Sequence, residues 1–425
     1  MYLPLDSLSL QKQEVDSWYS CHKTTIPFEN DHFDVNEVIE EPKLTKNTRN
    51  RKSKKPKANC TRRYRVYASP KVRNELKKWF GCVRKTYNWA LDSLRKRNLP
   101  LNPYWLRNRF VNSSNIPTSM SYLLDTPKHV REGAIDELVD AYKINLRKGT
   151  AFDMKFRSKK EHQSIVIPRS GIKGIKDNNM TLYPQKLSDK IRVFVDVKIE
   201  YDCRMTFDKL GRMYLCVPFL KQEKRSSDNQ AGIVALDPGV RTFMTAYGVK
   251  DQNTTISKFG QYDINRIYRM CKHLDDLVSK RSKNKKRSLK RAEHRMRKRI
   301  KDLVKDVHWK VVHELCSSYK EIIIPRFEVS QMVKRGRRKI GSKTVRCMLT
   351  WSHFGFRQKL LYKAPFYGCQ VHVLGEEYTT KVCTSCGHYN PNIKGEKKIR
   401  CPCCHQVVDR DVSGARNIFI KNIVS

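Results

Sequence analysis

AGIVALDPGVRTFMTAY, residues 231–247, opens with an apolar run, Ile233 to Leu236, and meets its first acid at Asp237. The run predicts a strand. A tight turn is expected at Pro238-Gly239, then a second strand from Thr242 to Gly248 and a third from Thr255 to Phe259. An unpaired carboxylate inside a buried strand is costly or becomes neutralised. Asp237 is therefore expected at the strand's end, facing a metal or a donor. The competing explanation is a hairpin whose Asp only favours the turn. Where the other acids and the cysteines fall decides between the two.

The chain has 425 residues, enough for two to four units with sizeable cores. Lys and Arg number 87 against 42 Asp and Glu, a formal net charge of +45. Such an excess fits a polyanionic partner, because neutralising phosphates releases counterions. A membrane surface is the competing polyanion. No apolar run approaches the ~18 residues of a spanning helix, and the first residues do not read as a signal peptide. Nucleic acid is the expected partner, with no membrane. Of 14 cysteines, nine are scattered singly and five fall between Cys383 and Cys404. That clustering argues for one metal site in a reducing compartment, not for a disulfide framework.

Residues 1–60 read as an extension, acidic at Asp31 to Glu41 and sharply basic at Lys46 to Lys57. The basic run is either a solvated tail, an arm on nucleic acid or a nuclear localisation signal, the last placing the protein in the nucleus of a eukaryotic host. Arg62 to Ser69 alternates as a strand, and Pro70 opens a helix with Val72, Leu76, Trp79, Phe80, Val83, Tyr87, Leu91 and Leu94 on one stripe. Residues 100–190 are expected to be mostly helical and loop-rich, clearest from Asp125 to Leu146, with Phe152 to Pro168 as a basic turn between short strands. Ile191 to Ile199, Cys203 to Phe207 and Met213 to Val217 read as strands, which with Arg63 to Ala68 suggest a small β-barrel. Residues 61–222 thus form one expected unit, and QEKRSSDNQ, residues 222–230, is the linker.

Past the opening meander, two apolar stripes, Ile264 to Val278 and Ile300 to Leu315, predict a long helical hairpin around the basic block Lys280 to Lys301. Beside a nuclease-like core, that block is read as a nucleic-acid backbone contact. Ile322 to Ile324 is a fourth strand, Val333 to Lys339 a basic loop, Val345 to Tyr362 an amphipathic helix with Trp351, Phe354, Leu360 and Leu361 in the core, and Gln370 to Leu374 a fifth strand. Three strands, a helical insertion, a strand, a helix, a strand and a final helix follow the order of an α/β, RNase H-like (RuvC-type) nuclease core. It would span 231–375, with 376–407 as an inserted zinc ribbon and 408–425 as its final segment.

In the C-terminal region, C-T-S-C and C-P-C-C are separated by fourteen residues. Each C-x2-C knuckle puts two thiolates on one side of a tetrahedral zinc, so Cys383, Cys386, Cys401 and Cys404 are the expected ligands, with Cys403 and His388 as alternatives. A closed four-thiolate site is structural, not catalytic. The sequence then runs through Asp409-Arg410-Asp411 into a helix, where Asp411 stands at the start and a capping role is its ordinary explanation. Ser413, Gly414 and Ala415 would let that helix lie close on a sheet.

LDPGVRTFMTAYG, YTTKVCTSCGHYN and DRDVSGARNI together resemble the TnpB proteins of insertion sequences and their eukaryotic and viral relatives, the Fanzor proteins. KFRSKKEHQSIVIP and WFGCVRKTYNWAL extend the resemblance to residues 62 through the C-terminus. It implies an RNA-guided DNA endonuclease related to type V CRISPR effectors, with guide RNA and target DNA as partners. Asp237 matches the first catalytic acid of that family and Asp411 the third. TnpB proteins carry the second acid directly after the fourth strand, where this chain has Pro325. Fanzor proteins resemble it in having the glutamate just before the zinc ribbon, which corresponds to Glu376. Glu328 and Glu377 stay open as alternatives, and so does an inactive nuclease. The three carboxylates would hold two Mg²⁺ ions for phosphodiester hydrolysis, the guide selecting the target by base pairing. A non-catalytic binding protein, such as a transposition accessory, would share the charge and the cysteines but need neither Asp237 nor Asp411. A cutting-and-joining transposase is the third reading.

Overall fold

A computed structural model of the chain describes residues 56–96, 99–149, 152–223, 230–250, 253–334, 336, 340–375, 381–393 and 396–423. The acidic stretch Asp31 to Glu41, most of the basic run, the centre of the 222–230 segment, most of Val333 to Lys339, and both Glu376 and Glu377 lie outside them. The chain divides into two compact units, one ending at Lys221 and the other continuing from Gln222.

In the first unit, β1 (Cys60–Tyr67) leads through Ser69, whose hydroxyl accepts from the Val72 amide at 3.4 Å, into α1 (Pro70–Lys96). Pro70 at the first helical position forfeits only an N–H that has no intrahelical partner. Val72, Leu76, Trp79, Phe80, Val83, Tyr87 and Leu91 are buried along one stripe. Two more helices follow, α2 (Pro103–Val111) and α3 (Lys128–Arg147). The last starts three residues later than its periodicity suggests, because Thr126 is extended ahead of Pro127, as a residue before proline must be.

The rest of this unit is β, which corrects the expectation of helix and loop up to residue 190. Strands β2 (Gln163–Ile167), β3 (Ile172–Lys176), β4 (Asn179–Leu182), β5 (Ile191–Val193), β6 (Cys203–Phe207) and β7 (Met213–Phe219) join β1 in a seven-stranded sheet, ordered β2-β6-β7-β1-β5-β4-β3. Only β2 forms within the 152–168 segment, and β5 ends at Val193, six residues short of the alternating pattern. Among the described residues no pairing joins β2 to β3, so the sheet stays open where a closed barrel was expected. At the β6–β7 turn, Asp208 Oδ1 accepts from the amides of Leu210 and Arg212 at 2.9 and 2.8 Å, and Gly211 takes a φ of +78°.

In the second unit, β8 (Ile233–Pro238), β9 (Met244–Lys250) and β10 (Asn253–Phe259) form an antiparallel meander. The helical hairpin is α4 (Asp263–Lys283) and α5 (Arg287–Ser318), so the basic block lies mainly on helix. Then come β11 (Glu321–Pro325), the short α6 (Val329–Met332), α7 (Ser342–Trp351), α8 (His353–Lys363) and β12 (Gln370–Leu374). The small hairpin β13 (Lys398–Arg400) and β14 (Val407–Asp409) and the final helix α9 (Arg410–Ile423) complete it. The main sheet runs β10-β9-β8-β11-β12, with β8, β11 and β12 mutually parallel.

Strand alternation divides this sheet into two faces. Val234, Leu236, Met244, Ala246, Ile322, Ile324 and Val371 share a core with residues of α4, α5, α7 and α8. The other face carries Ala235 and Ile323, which pack with Ile418 of α9. Gly232 sets the approach to β8, with φ +66° and a position where a Cβ would lie 1.8 Å from the Val249 carbonyl oxygen. The single helix expected over Val345 to Tyr362 is two helices, broken at Ser352, which is left-handed at φ +52°. The break changes the helical phase: Phe356 and Leu360 enter the core beside Trp351, while Phe354, expected there, is 41% exposed. Among the described residues, no helix is long and apolar enough to cross a membrane.

Candidate metal centres

Asp237 is the penultimate residue of β8, half-buried after three buried apolar residues. It pairs with Thr245 of β9, which pairs with Lys258 of β10. Directly paired residues and alternate residues along a strand share a face, so Asp237, Thr245 and Lys258 form one row on the Ala235 face. Lys258 reaches from this row to Asp409, Nζ to Oδ2, at 2.7 Å.

Asp409 also caps α9. Its Oδ1 accepts from the amides of Asp411 at 3.1 Å and Val412 at 3.3 Å. This corrects the sequence reading, in which Asp411 was the natural cap. Burial opposes the charge on Asp409, but Lys258 and the two amides outweigh it and hold its carboxyl below the ordinary aspartate range. Asp411 is thereby spared a capping role. It lies half-buried in the first turn, with Arg410 Nη2 at 3.3 Å from Oδ1.

The path of α9 follows from its contacts. Its start is tied to the Lys258 row. A turn and a half later Ile418 packs on Ala235 and Ile323, and Phe419 meets the ring of Tyr247 at 5.5 Å. Tyr247 and Ala235 are a register pair one step back along the strands from Thr245 and Asp237. The helix therefore begins at the end of the sheet that bears Asp237, on the same face, with Asp411 in its opening turn. Buried Ser413, Gly414 and Ala415 permit that close approach. Half-buried carboxylates at a strand end and a helix start supply the hard oxygen donors that suit Mg²⁺.

Of the other acids, Glu376 and Glu377 fall outside the described residues. β12, described through Leu374 and on to Gly375, leads directly to them. Pro325 ends β11 and pairs with Leu374. Glu328 is exposed, at the position preceding α6.

The four predicted cysteines do converge. The Sγ atoms of Cys383, Cys386, Cys401 and Cys404 all lie within 4.8 Å of one another, with Cys383–Cys404 at 3.7 Å and Cys386–Cys401 at 3.6 Å. A tetrahedral zinc with Zn–S near 2.3 Å requires S–S separations of about 3.8 Å, so the donor set fits that ion. Both knuckles are built alike. Gly387 N donates to Cys383 O and His405 N to Cys401 O, each at 3.0 Å, and Gly387 and His405 both take positive φ. Cys383 N and Cys401 N return to the carbonyls of His388 and Gln406 at 2.9 and 3.0 Å. His388 thus serves through its backbone, and neither it nor Cys403 belongs to the thiol cluster. Asn417 of α9 donates to Val382 O at 2.7 Å, which ties the first knuckle to the helix bearing Asp411.

Two family models match the chain. A Cas12f1-like TNB domain covers residues 353–418, from α8 through the cysteine cluster into α9. A helix-turn-helix domain of the OrfB IS605 type covers residues 59–98, where the structure has one strand and one 27-residue helix. Among curated proteins, the TnpB-like protein R854 of Acanthamoeba polyphaga mimivirus is 24% identical over 98% of this chain and 84% of its own length. "Putative transposase A625R" of Paramecium bursaria Chlorella virus 1 is 27% identical over 85% and 86%. "Putative RNA-guided DNA endonuclease InsQ" of Escherichia coli K12 is 24% identical over 81% and 88%. The resemblance to TnpB proteins read from the motifs is borne out by these matches.

Proposed function

We propose that this TnpB-like chain is an RNA-guided, metal-dependent DNA endonuclease whose active site lies at the β8 end of an RNase H-like sheet. The observation that carries this reading is the placement of Asp237 and the first turn of α9 on one face at one end of the sheet. A binding protein has no need to spend two half-buried carboxylates there. The strand order, with an antiparallel meander followed by two parallel strands, supports the RNase H-like assignment.

Asp237 and Asp411 would hold Mg²⁺ together with Glu376, which follows two residues after Leu374 in sequence. Bound there, the ions supply an activated water and charge neutralisation at the phosphodiester. The chain's own part is to fix the carboxylates: Asp237 by the β8 ladder, Asp411 by a helix clamped at Asp409. The four thiolates would hold a structural zinc that orders residues 381–409 ahead of α9. Guide RNA and target DNA are the proposed partners, drawn by the basic surface.

The test is guide-programmed cleavage in Mg²⁺ by Asp237→Ala, Asp411→Ala, Glu376→Ala, Glu377→Ala and Glu328→Ala proteins. The first three should lose most turnover while retaining nucleic-acid binding, and the last two should cut. Loss in Glu328→Ala with full activity in Glu376→Ala would place the second acid after β11 instead. Cleavage untouched by Asp237→Ala would leave the chain a binding protein.

A further inference from the structure

The other group of side chains at this edge is basic and aromatic. β11 and β8 pair in parallel through Ile323 and Ala235, so two residues further along they bring Pro325 level with Asp237. Arg326 therefore emerges one strand over from Asp237 and one residue beyond it, and it is exposed. Arg357, one turn into α8, donates Nη1 to the Arg326 carbonyl. That bond pins a second guanidinium to the same strand end. Its Cζ lies 5.4 Å from the ring centroid of Phe354, one helical turn back, and that ring is 41% exposed.

This juxtaposition is poorly balanced by the protein. Arg357 is half-buried, and burial first, then the charge of Arg326, lowers its pKa, with Glu328 working the other way. Two guanidiniums held together against one exposed carboxylate favour an added anion. Guanidinium pairs with phosphate by parallel hydrogen bonds. An exposed ring backed by a cation is a stacking platform for a base, and only an unpaired base can present its flat face. A duplex would keep that face inside its own stack.

We propose that Arg326, Arg357 and Phe354 form a landing site for single-stranded DNA beside Asp237, the arginines gripping a backbone phosphate and Phe354 stacking on an unpaired base. The inference rests on the nuclease reading for its substrate and names the form that substrate takes at the site: one strand, separated from its complement. Arg326, Arg357 and Phe354 act as positioning residues, since none is placed among the metal-holding acids.

Binding and cutting are measured separately, so the two readings fail separately. Full-length protein with its co-purified RNA is mixed in EDTA with an iododeoxyuridine-substituted single-stranded DNA, irradiated, and the crosslinked peptides mapped. The crosslink should fall on the peptide bearing Phe354, and Phe354→Ala should remove it. Base–aromatic stacking of usual strength makes that variant bind about fivefold or more weakly, with Phe354→Trp restoring binding. Arg326→Gln changes only an exposed side chain and should weaken binding even if Arg357→Lys proves unstable. Lys310→Gln on α5 is the control for simple charge loss. In Mg²⁺, Phe354→Ala and Arg326→Gln should raise KM for single-stranded substrate more than they lower kcat. Crosslinks confined to α4 and α5, or equal binding by Phe354→Ala, Arg326→Gln and Lys310→Gln, would overturn the proposal. Mapped crosslinks at Phe354 without any cleavage in Mg²⁺ would uphold it and sink the nuclease reading.

Discussion

Asp409 and Asp411 stand two residues apart in DRD, and the structure gives them different work. Asp409 terminates β14, caps α9 and pairs with Lys258; Asp411 does none of these. Asp409→Asn should therefore lower thermal stability, while Asp411→Asn should leave melting nearly unchanged and abolish cleavage. An N-cap is worth about 1 kcal/mol, and the loss of the Lys258 pair adds to it. The pH dependence has a definite sign. The folded pKa of Asp409 is depressed, so its contribution is present above the unfolded value near 3.9 and is lost as pH falls through the lower folded value. Acid melts of wild type and Asp409→Asn should converge below about pH 4 and separate above it. A constant gap across that range would mean that Lys258 and the amides do not stabilise the charged form.

The element in question is the run from Lys381 to Ile423, where two knuckles and a small hairpin feed directly into α9. Closing the four thiolates on one ion would fix both ends of this segment, since Val382 is bonded to Asn417 and β14 ends in the cap. Purified protein should contain about one equivalent of zinc. Cys401→Ser should lose it and, by loosening α9, lose cleavage as well. Cys403→Ser should keep both, because Cys403 stands outside the cluster. Zinc retained in Cys401→Ser but lost in Cys403→Ser would exchange the two ligands. The α4–α5 hairpin shows a second elementary device: Glu293, 4% exposed, lies 2.6 Å from Arg281 Nε and 2.8 Å from Arg297 Nε. One carboxylate thus draws two guanidiniums inward across the helix pair, while other cations of the block remain on its surface.

At the scale of the whole molecule, the +45 formal charge governs association. Affinity for nucleic acid should fall steeply with salt, the slope counting neutralised phosphates. Fluorescence anisotropy across a salt series checks this, and a nearly flat log–log plot would remove the basic hairpin as the main contact surface. Much of the architecture was legible without coordinates, for physical reasons. Alternating and helical periodicities report burial directly, which is why Ile233 to Asp237, Gln370 to Leu374 and the stripes of α1, α4 and α5 appear where the pattern puts them. The C-x2-C spacing fixes knuckle geometry locally, so the four cysteines could be named in advance. Other features depend on partners distant in sequence. β5 stops at Val193 because pairing with β1 covers only Val66 and Tyr67, and no local pattern marks that limit. The break at Ser352 reverses Phe354 and Phe356, since a left-handed residue shifts the phase of everything after it. Asp409 outranks Asp411 as the cap because Lys258, 151 positions earlier, is delivered to it by the sheet. Arg326 and Arg357 read as ordinary surface charge until β11 and α8 are packed side by side. The sequence by itself determined which stretches must be buried and which thiols share an ion, because both follow from chemistry within a few residues. Which carboxylate is left over for catalysis, and which cations stand beside it, only the tertiary structure decided, because both turn on strand register and helix packing between distant segments.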